Sequence, residues 1–98
     1  MSILGAIINA ITGAFSNTLT PMELEAELDK RAKLNPEKLD WRNSIVDLMK
    51  LTNQDSSLSV RQELAKELGY TGALDGSAEM NIWLHVQVMK RLREGGVT

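Results

Sequence analysis

The stretch from Ser77 to Glu94 constrains the fold more than any other, because it is the longest run with the apolar period of an α-helix. Ile82, Val86 and Met89 fall on one strip of this helix. Other apolar side chains widen the strip, namely Leu84, Val88 and Leu92 on one side and Trp83 on the other. A helix with so wide an apolar arc must be covered on more than one side. We therefore predict that the rest of the chain packs around it.

The fold class predicted from the whole sequence is all-α, a small bundle of about five helices. Its 98 residues suffice for one domain, and no segment alternates with the period of a strand. We expect an apolar N-terminal helix in residues 1–15, a flexible connector in residues 16–20 and a helical domain in residues 21–98. Within that domain, residues 41–94 should form a stable three-helix core, with a charged second helix beside it.

Composition excludes several classes of function. The chain has no cysteine, so it cannot form a disulfide framework or a thiolate-ligated zinc site. A formal net charge of −2 argues against a general nucleic-acid-binding protein. The first charged side chain is Glu23, so the apolar start lacks the basic flank of a secretory signal. We expect a cytoplasmic protein without a cofactor or a bound metal.

Residues 3–15 carry no charge and gather their larger apolar side chains on one helical face. That face could dock on the domain's own core, bind a partner protein or a second copy, or lie at a membrane surface. The candidate partner surface consists of Ile7, Ile8, Ile11 and Phe15. Because Gly5 and Gly13 weaken the helix, we expect the segment to exchange between the domain and an external apolar partner.

The second helix has a full set of start signals. Thr20 predicts the N-cap, Pro21 the first helical position, and Glu23 completes a Thr-x-x-Glu capping box. Acidic residues then precede basic ones, in the order that the helix dipole favours. Leu24 and Leu28 make only a thin apolar stripe, so we expect the charged side chains to form a solvated face.

Two more helices are predicted between residues 40 and 70. Asp40 is the expected N-cap of a helix over 41–51. The next helix runs from about residue 58 to 68, and Gly69 follows it in the left-handed conformation that ends many helices. Tyr70 then folds back on the helix, as in a Schellman motif.

His85 is the only histidine, and it lies within the apolar arc of the last helix with Asn81 one turn earlier. The pair could hold a small ligand or form a proton relay, but it is more commonly a core polar pair whose side chains bond backbone carbonyls of a neighbouring helix. We predict the structural role. Because no nucleophile has a plausible base, the sequence does not favour an enzyme.

Three segments carry a resemblance to a known family: LDWRNSIVDLMK, DSSLSVRQELAKELGY and MNIWLHVQVM. They resemble a family of small bacterial proteins classified only as a domain of unknown function. The resemblance implies five helices with a long flexible loop after the first, although the connector here is shorter. The family has no assigned activity, so the resemblance implies no catalytic residue.

A second resemblance concerns LGYTGALDG, residues 68–76, which is similar to a segment of three-helix peptidoglycan-binding modules. This chain departs from that pattern, since it has one residue fewer before Gly72 and lacks the usual residues after Asp75-Gly76. The leading hypothesis is therefore a non-enzymatic helical protein-interaction module. A cell-wall-binding domain is the alternative.

Overall fold

The computed structural model describes residues 2–12 and 20–94, and this part of the chain forms five α-helices without a strand. They are α1 (Ile3–Thr12), α2 (Pro21–Leu34), α3 (Ile45–Leu51), α4 (Leu58–Glu67) and α5 (Ala78–Arg93). The predicted all-α bundle is confirmed. Among these helices none is both long and apolar enough to cross a membrane.

The capping signals at the start of α2 work as the sequence predicts. The Thr20 hydroxyl accepts a hydrogen bond from the Glu23 backbone N–H at 3.2 Å, and the Glu23 carboxylate accepts one from the Thr20 N–H at 3.0 Å. These two bonds form the predicted capping box, which satisfies N–H groups that have no partner inside the helix.

The end of α4 also follows the prediction. Gly69 has a φ of 88°, a left-handed conformation that glycine adopts without a steric penalty. The backbone N–H of Tyr70 donates to the carbonyl of Ala65 at 2.9 Å, and that of Gly69 donates to Lys66 at 3.1 Å. These are the two bonds of a Schellman motif.

The predicted start of α3 is wrong by one turn. Residues 41–43 form a turn, and the helix begins after Ser44, whose hydroxyl accepts from the Asp47 N–H at 3.2 Å. The Asp47 carboxylate in turn accepts from the backbone N–H of Asp40 at 2.8 Å. Ser44 is therefore the N-cap of α3 instead of Asp40. The Asp47 side chain connects Asp40, just before the 41–43 turn, to the first turn of the helix.

One hydrophobic core takes side chains from all five helices, and α5 lies at its centre against α2, α3 and α4. The buried residues of α5 are Met80, Leu84, Val88, Met89 and Leu92. Residues 41–94 share this core with Leu24 and Leu28 of α2 and with the apolar face of α1, which packs on α2 and α4. The proposed boundaries between segments stay predictions, and Phe15 and most of the connector lie outside the described residues.

Candidate interaction surface on α5

The turn at residues 41–43 connects α2 to α5. Trp41 is buried, and its indole nitrogen donates to the Asp29 carboxylate of α2 at 3.2 Å. On the other side, Nε2 of His85 lies 2.7 Å from the carbonyl oxygen of Trp41. The turn is thus held between two helices by both its side chain and its backbone.

Arg42 follows Trp41 and is fixed by three contacts. One guanidinium nitrogen donates to Glu25 at 2.7 Å, and the other donates to Asp29 at 2.9 Å. The guanidinium carbon also lies 4.3 Å from the centre of the Trp41 ring, in a cation–π arrangement. The hydrogen bond to Glu25 is the largest contribution that raises the pKa of Arg42. These contacts hold the exposed arginine in one position.

An open groove of about 480 Å³ lies between Arg42 and the C-terminal half of α5. We call it the α5 groove; its lining residues are Arg42, His85, Val86, Met89, Lys90, Arg93 and Glu94. Val86 and the buried Met89 give it an apolar floor. Charged side chains rim it, three of them cationic and one anionic. Such a groove can bind an apolar group and orient it with charges, which fits a binding site better than a reaction centre.

A line of exposed residues follows α5 next to this groove. The residues are Glu79, Ile82, Val86, Lys90 and Arg93, which fall within an arc of about 80° at 100° per residue, and we call them the outer strip. Ile82 is 63% exposed and Val86 is 54% exposed. The expectation that the strip of Ile82, Val86 and Met89 is covered is therefore wrong for two of its three residues, because neighbouring helices cover only the other side of the wide apolar arc.

The partner surface predicted on α1 is occupied in this structure. Ile7 and Ile11 are completely buried and Ile8 nearly so, while Phe15 lies outside the described residues. A partner could reach these side chains only if α1 left its place on α2 and α4. Binding through residues 3–15 accordingly stays a prediction.

The N-terminus of α1 is held by a carboxylate from the end of α4. Glu67 accepts hydrogen bonds from the Ser2 hydroxyl at 2.7 Å and from the backbone N–H groups of Ile3 and Leu4 at 2.8 and 2.9 Å. Burial raises the pKa of Glu67, but these hydrogen bonds together lower it by more than burial raises it. The pKa of Glu67 therefore lies below its ordinary value. Sequence reasoning missed this cap because the two ends lie more than 60 residues apart.

The predicted structural role of His85 agrees with its bond to a neighbouring backbone carbonyl. Asn81, one turn earlier, has partners of its own, since its side chain accepts from Arg61 at 2.8 Å and donates to the Gly76 carbonyl at 3.3 Å. Within the described residues, no cluster of three or more acidic or histidine side chains could hold a metal ion.

The segment that resembles peptidoglycan-binding modules has structural roles here. Gly69 ends α4, and Tyr70 packs on Trp83 with 4.8 Å between ring centres. The Asp75 carboxylate accepts from the backbone N–H of Ser77, which is the N-cap of α5. These contacts account for Gly69, Tyr70 and Asp75 by packing and capping.

Comparisons with known proteins agree with this description. A family model described as "Domain of unknown function (DUF3597)" matches residues 3–98. The solution structure of a conserved unknown protein from Rhodopseudomonas palustris is similar, with a TM-score of 0.77 and 45% sequence identity. That match covers 98% of this chain and 93% of the other. No curated protein matches significantly. The predicted resemblance to a bacterial family of unknown function is thus confirmed.

Proposed function

We propose that this chain, which belongs to the DUF3597 family of unknown function, is a non-enzymatic helical module that binds another protein through α5. The observation that supports it is the exposure of Ile82 next to Val86, which is also exposed and forms the apolar floor of the α5 groove with Met89. A single exposed apolar side chain needs no explanation. Two on consecutive turns of one helix, next to a groove, form a continuous apolar surface with a charged rim.

The fixed position of Arg42 supports this proposal. Long charged side chains lose rotamer freedom when a partner binds, which weakens the complex. Arg42 has already lost that freedom through its contacts with Glu25, Asp29 and the ring of Trp41. The rim of the α5 groove is therefore partly preorganised in the unbound protein.

The serine hydroxyls near helix starts argue against an enzyme. Ser44 and Ser77 each accept a backbone N–H as N-caps of α3 and α5. Nε2 of His85 is bonded to the carbonyl of Trp41, which orients the ring towards the backbone. A hydrolase needs a hydroxyl and a base within hydrogen-bonding distance of each other, and these groups have other partners.

The cell-wall alternative is not favoured, because Gly69, Tyr70 and Asp75 of the 68–76 segment have packing and capping roles. Binding through α1 requires the helix to undock and lose the burial of its isoleucine face. The α5 surface needs no such rearrangement, and we therefore place the interaction there.

A site-specific crosslinking experiment tests the proposal. A photoreactive amino acid replaces Ile82 in cells that naturally produce the protein, and a matched variant carries it at the exposed Arg91 on the opposite side of α5. We expect a discrete crosslinked species at position 82 that is absent at position 91, with its composition identified by mass spectrometry. No species at position 82, or the same species at both positions, would overturn the proposal.

A further inference from the structure

We infer that the protein bound at the outer strip is a second copy of this chain, with the two α5 helices packed antiparallel about a two-fold axis. This inference rests on the proposed function and names its partner. Closed two-fold dimers are the commonest oligomers, and they require one surface patch that is complementary to itself. The outer strip of α5 meets that requirement in both charge and shape.

The charge of the outer strip changes from negative at one end of the helix to positive at the other. Glu79 lies at its N-terminal end, Ile82 and Val86 lie in the middle, and Lys90 and Arg93 lie at its C-terminal end. All are exposed. Lys90 forms no ion pair within the described residues, and Arg93 reaches only Glu25, at 3.9 Å. The basic end of the strip is therefore available to an acidic group from outside.

An antiparallel arrangement matches each end of the strip with its opposite. With the axis at residue 84, Ile82 and Val86 lie about 3 Å on either side at ~1.5 Å per residue. Ile82 of each copy then faces Val86 of the other. Glu79 lies about 7.5 Å from the axis and Lys90 about 9 Å, so Glu79 of each copy meets Lys90 of the other.

A parallel arrangement would place the two Lys90 side chains side by side. Like charges in contact disfavour association, whereas opposite charges steer partners together and fix their register. The distribution of charge along α5 thus selects the antiparallel pairing.

Shape supports the same pairing. Ile82 projects from the N-terminal half of the strip, whereas the α5 groove lies beside the C-terminal half over Val86 and Met89. The two-fold operation brings each Ile82 towards the groove of the second copy. Each copy therefore offers one apolar knob and one apolar recess.

The small size of the strip sets the strength of the dimer. The 16 residues of α5 span about 24 Å, so contact along one helix buries less than the roughly 1,600 Å² of a standard interface. Interfaces of that smaller class are weak and transient. We expect a reversible dimer with a dissociation constant on the order of 100 μM.

Analytical ultracentrifugation of the full chain from micromolar to millimolar concentration tests the inference. We expect reversible dimerisation, which Ile82→Lys weakens at least tenfold. Leu34→Lys is the matched control, because it makes the same kind of change at a side chain that is 76% exposed on α2. Its dimerisation should equal that of the unmodified chain, and melting temperatures verify that all variants fold.

Charge reversal provides a second measurement that does not depend on apolar packing. Glu79→Lys and Lys90→Glu should each weaken the dimer severalfold, since each places like charges opposite one another. The double variant E79K/K90E restores opposite charges and should recover most of the lost affinity. That recovery is specific to an antiparallel pair of identical strips.

Two outcomes would overturn the inference: a chain that stays monomeric at millimolar concentration, or a dimer that Ile82→Lys leaves unchanged. If the chain is monomeric but a different protein crosslinks at position 82, the interaction module stands and only the second copy is wrong. If neither a dimer nor a crosslinked species forms, both proposals are wrong.

Discussion

Nε2 of His85 donates a hydrogen bond to the backbone carbonyl oxygen of Trp41 across 2.7 Å, joining residues that lie 44 positions apart. A carbonyl oxygen can only accept, so Nε2 is the donor and carries a proton. The bond attaches α5 to the turn whose indole contacts Asp29 of α2. It therefore helps to position Arg42 at the rim of the α5 groove.

Replacing His85 with alanine should lower the free energy of unfolding by about 1–2 kcal/mol, since the partly buried bond to Trp41 is lost. Arg91→Ala, at an exposed site on the same helix, should change it by less than about 0.5 kcal/mol. Denaturant unfolding measures both. Equal losses in the two variants would show that the bond does not hold the turn. Nitrogen chemical shifts of the ring should also show the Nε2-protonated form.

Adjacent residues on α5 should respond differently to truncation. Trp83 is partly buried against Tyr70, with 4.8 Å between ring centres, whereas Ile82 points outwards. We expect Trp83→Ala to cost about 2–3 kcal/mol, somewhat below the ~3–5 typical of a fully buried tryptophan. Ile82→Ala should cost less than about 0.5 kcal/mol at concentrations where the chain is monomeric. A larger loss of stability for Ile82→Ala than for Trp83→Ala would contradict the exposed position of Ile82 and the partly buried position of Trp83.

The first helix should contribute directly to stability. Ile7 is completely buried, and its truncation to alanine should cost about 2–4 kcal/mol by loss of apolar contact and creation of a cavity. Asn9 is exposed on the same helix, and Asn9→Ala should have little effect. If Ile7→Ala is also nearly neutral in thermal unfolding, then α1 is not held on the core in solution, and exchange of residues 3–15 with a partner regains support.

The carboxylate cap on α1 should make part of the stability depend on pH. The folded pKa of Glu67 lies below its unfolded value, so its contribution is present above the unfolded pKa and is lost as pH falls through the folded pKa. Glu67→Gln should therefore cost about 1 kcal/mol at pH 7, a typical value for a cap, and progressively less as the pH falls through the folded pKa of Glu67.

The control for that measurement is Glu63→Gln, one turn earlier on α4. Within the part of the chain that the structure describes, Glu63 forms an exposed ion pair with Lys66 at 3.6 Å, and such pairs contribute little. Urea unfolding of both variants across pH 3–7 separates the two roles. A constant difference between the unmodified chain and Glu67→Gln at every pH would contradict the role of the ionised cap.

The sequence correctly predicted the structural features that depend only on residues close to one another in the chain. The capping box of Thr20 with Glu23 and the left-handed Gly69 depend on residues within one or two turns, so their spacing in the sequence is sufficient. The start of α3 depends on a choice between Asp40 and Ser44, both good caps. That choice is made by the position of Trp41 between α2 and α5, which no local pattern contains.

The candidate interaction surface could be predicted only in part. The width of the apolar arc on α5 was apparent, but which side the neighbouring helices would leave exposed depends on how many helices pack there. Ile82 and Val86 look as apolar in the sequence as Leu84 and Val88, yet only the latter pair is buried. The α5 groove also needs Arg42, whose position depends on Glu25 and Asp29.

The cap on α1 also has a consequence for how the protein is made. Glu67 is added to the growing chain 64 residues after Ile3, whose backbone it binds. At roughly 5–20 residues per second, the apolar helix waits about 3–13 seconds on the ribosome before its cap exists. Its cover on α4 is synthesised over the same stretch. Until the chain has grown past Glu67, the isoleucine face of α1 therefore lacks the part of its cover that α4 supplies, and only α2 is available to pack against it.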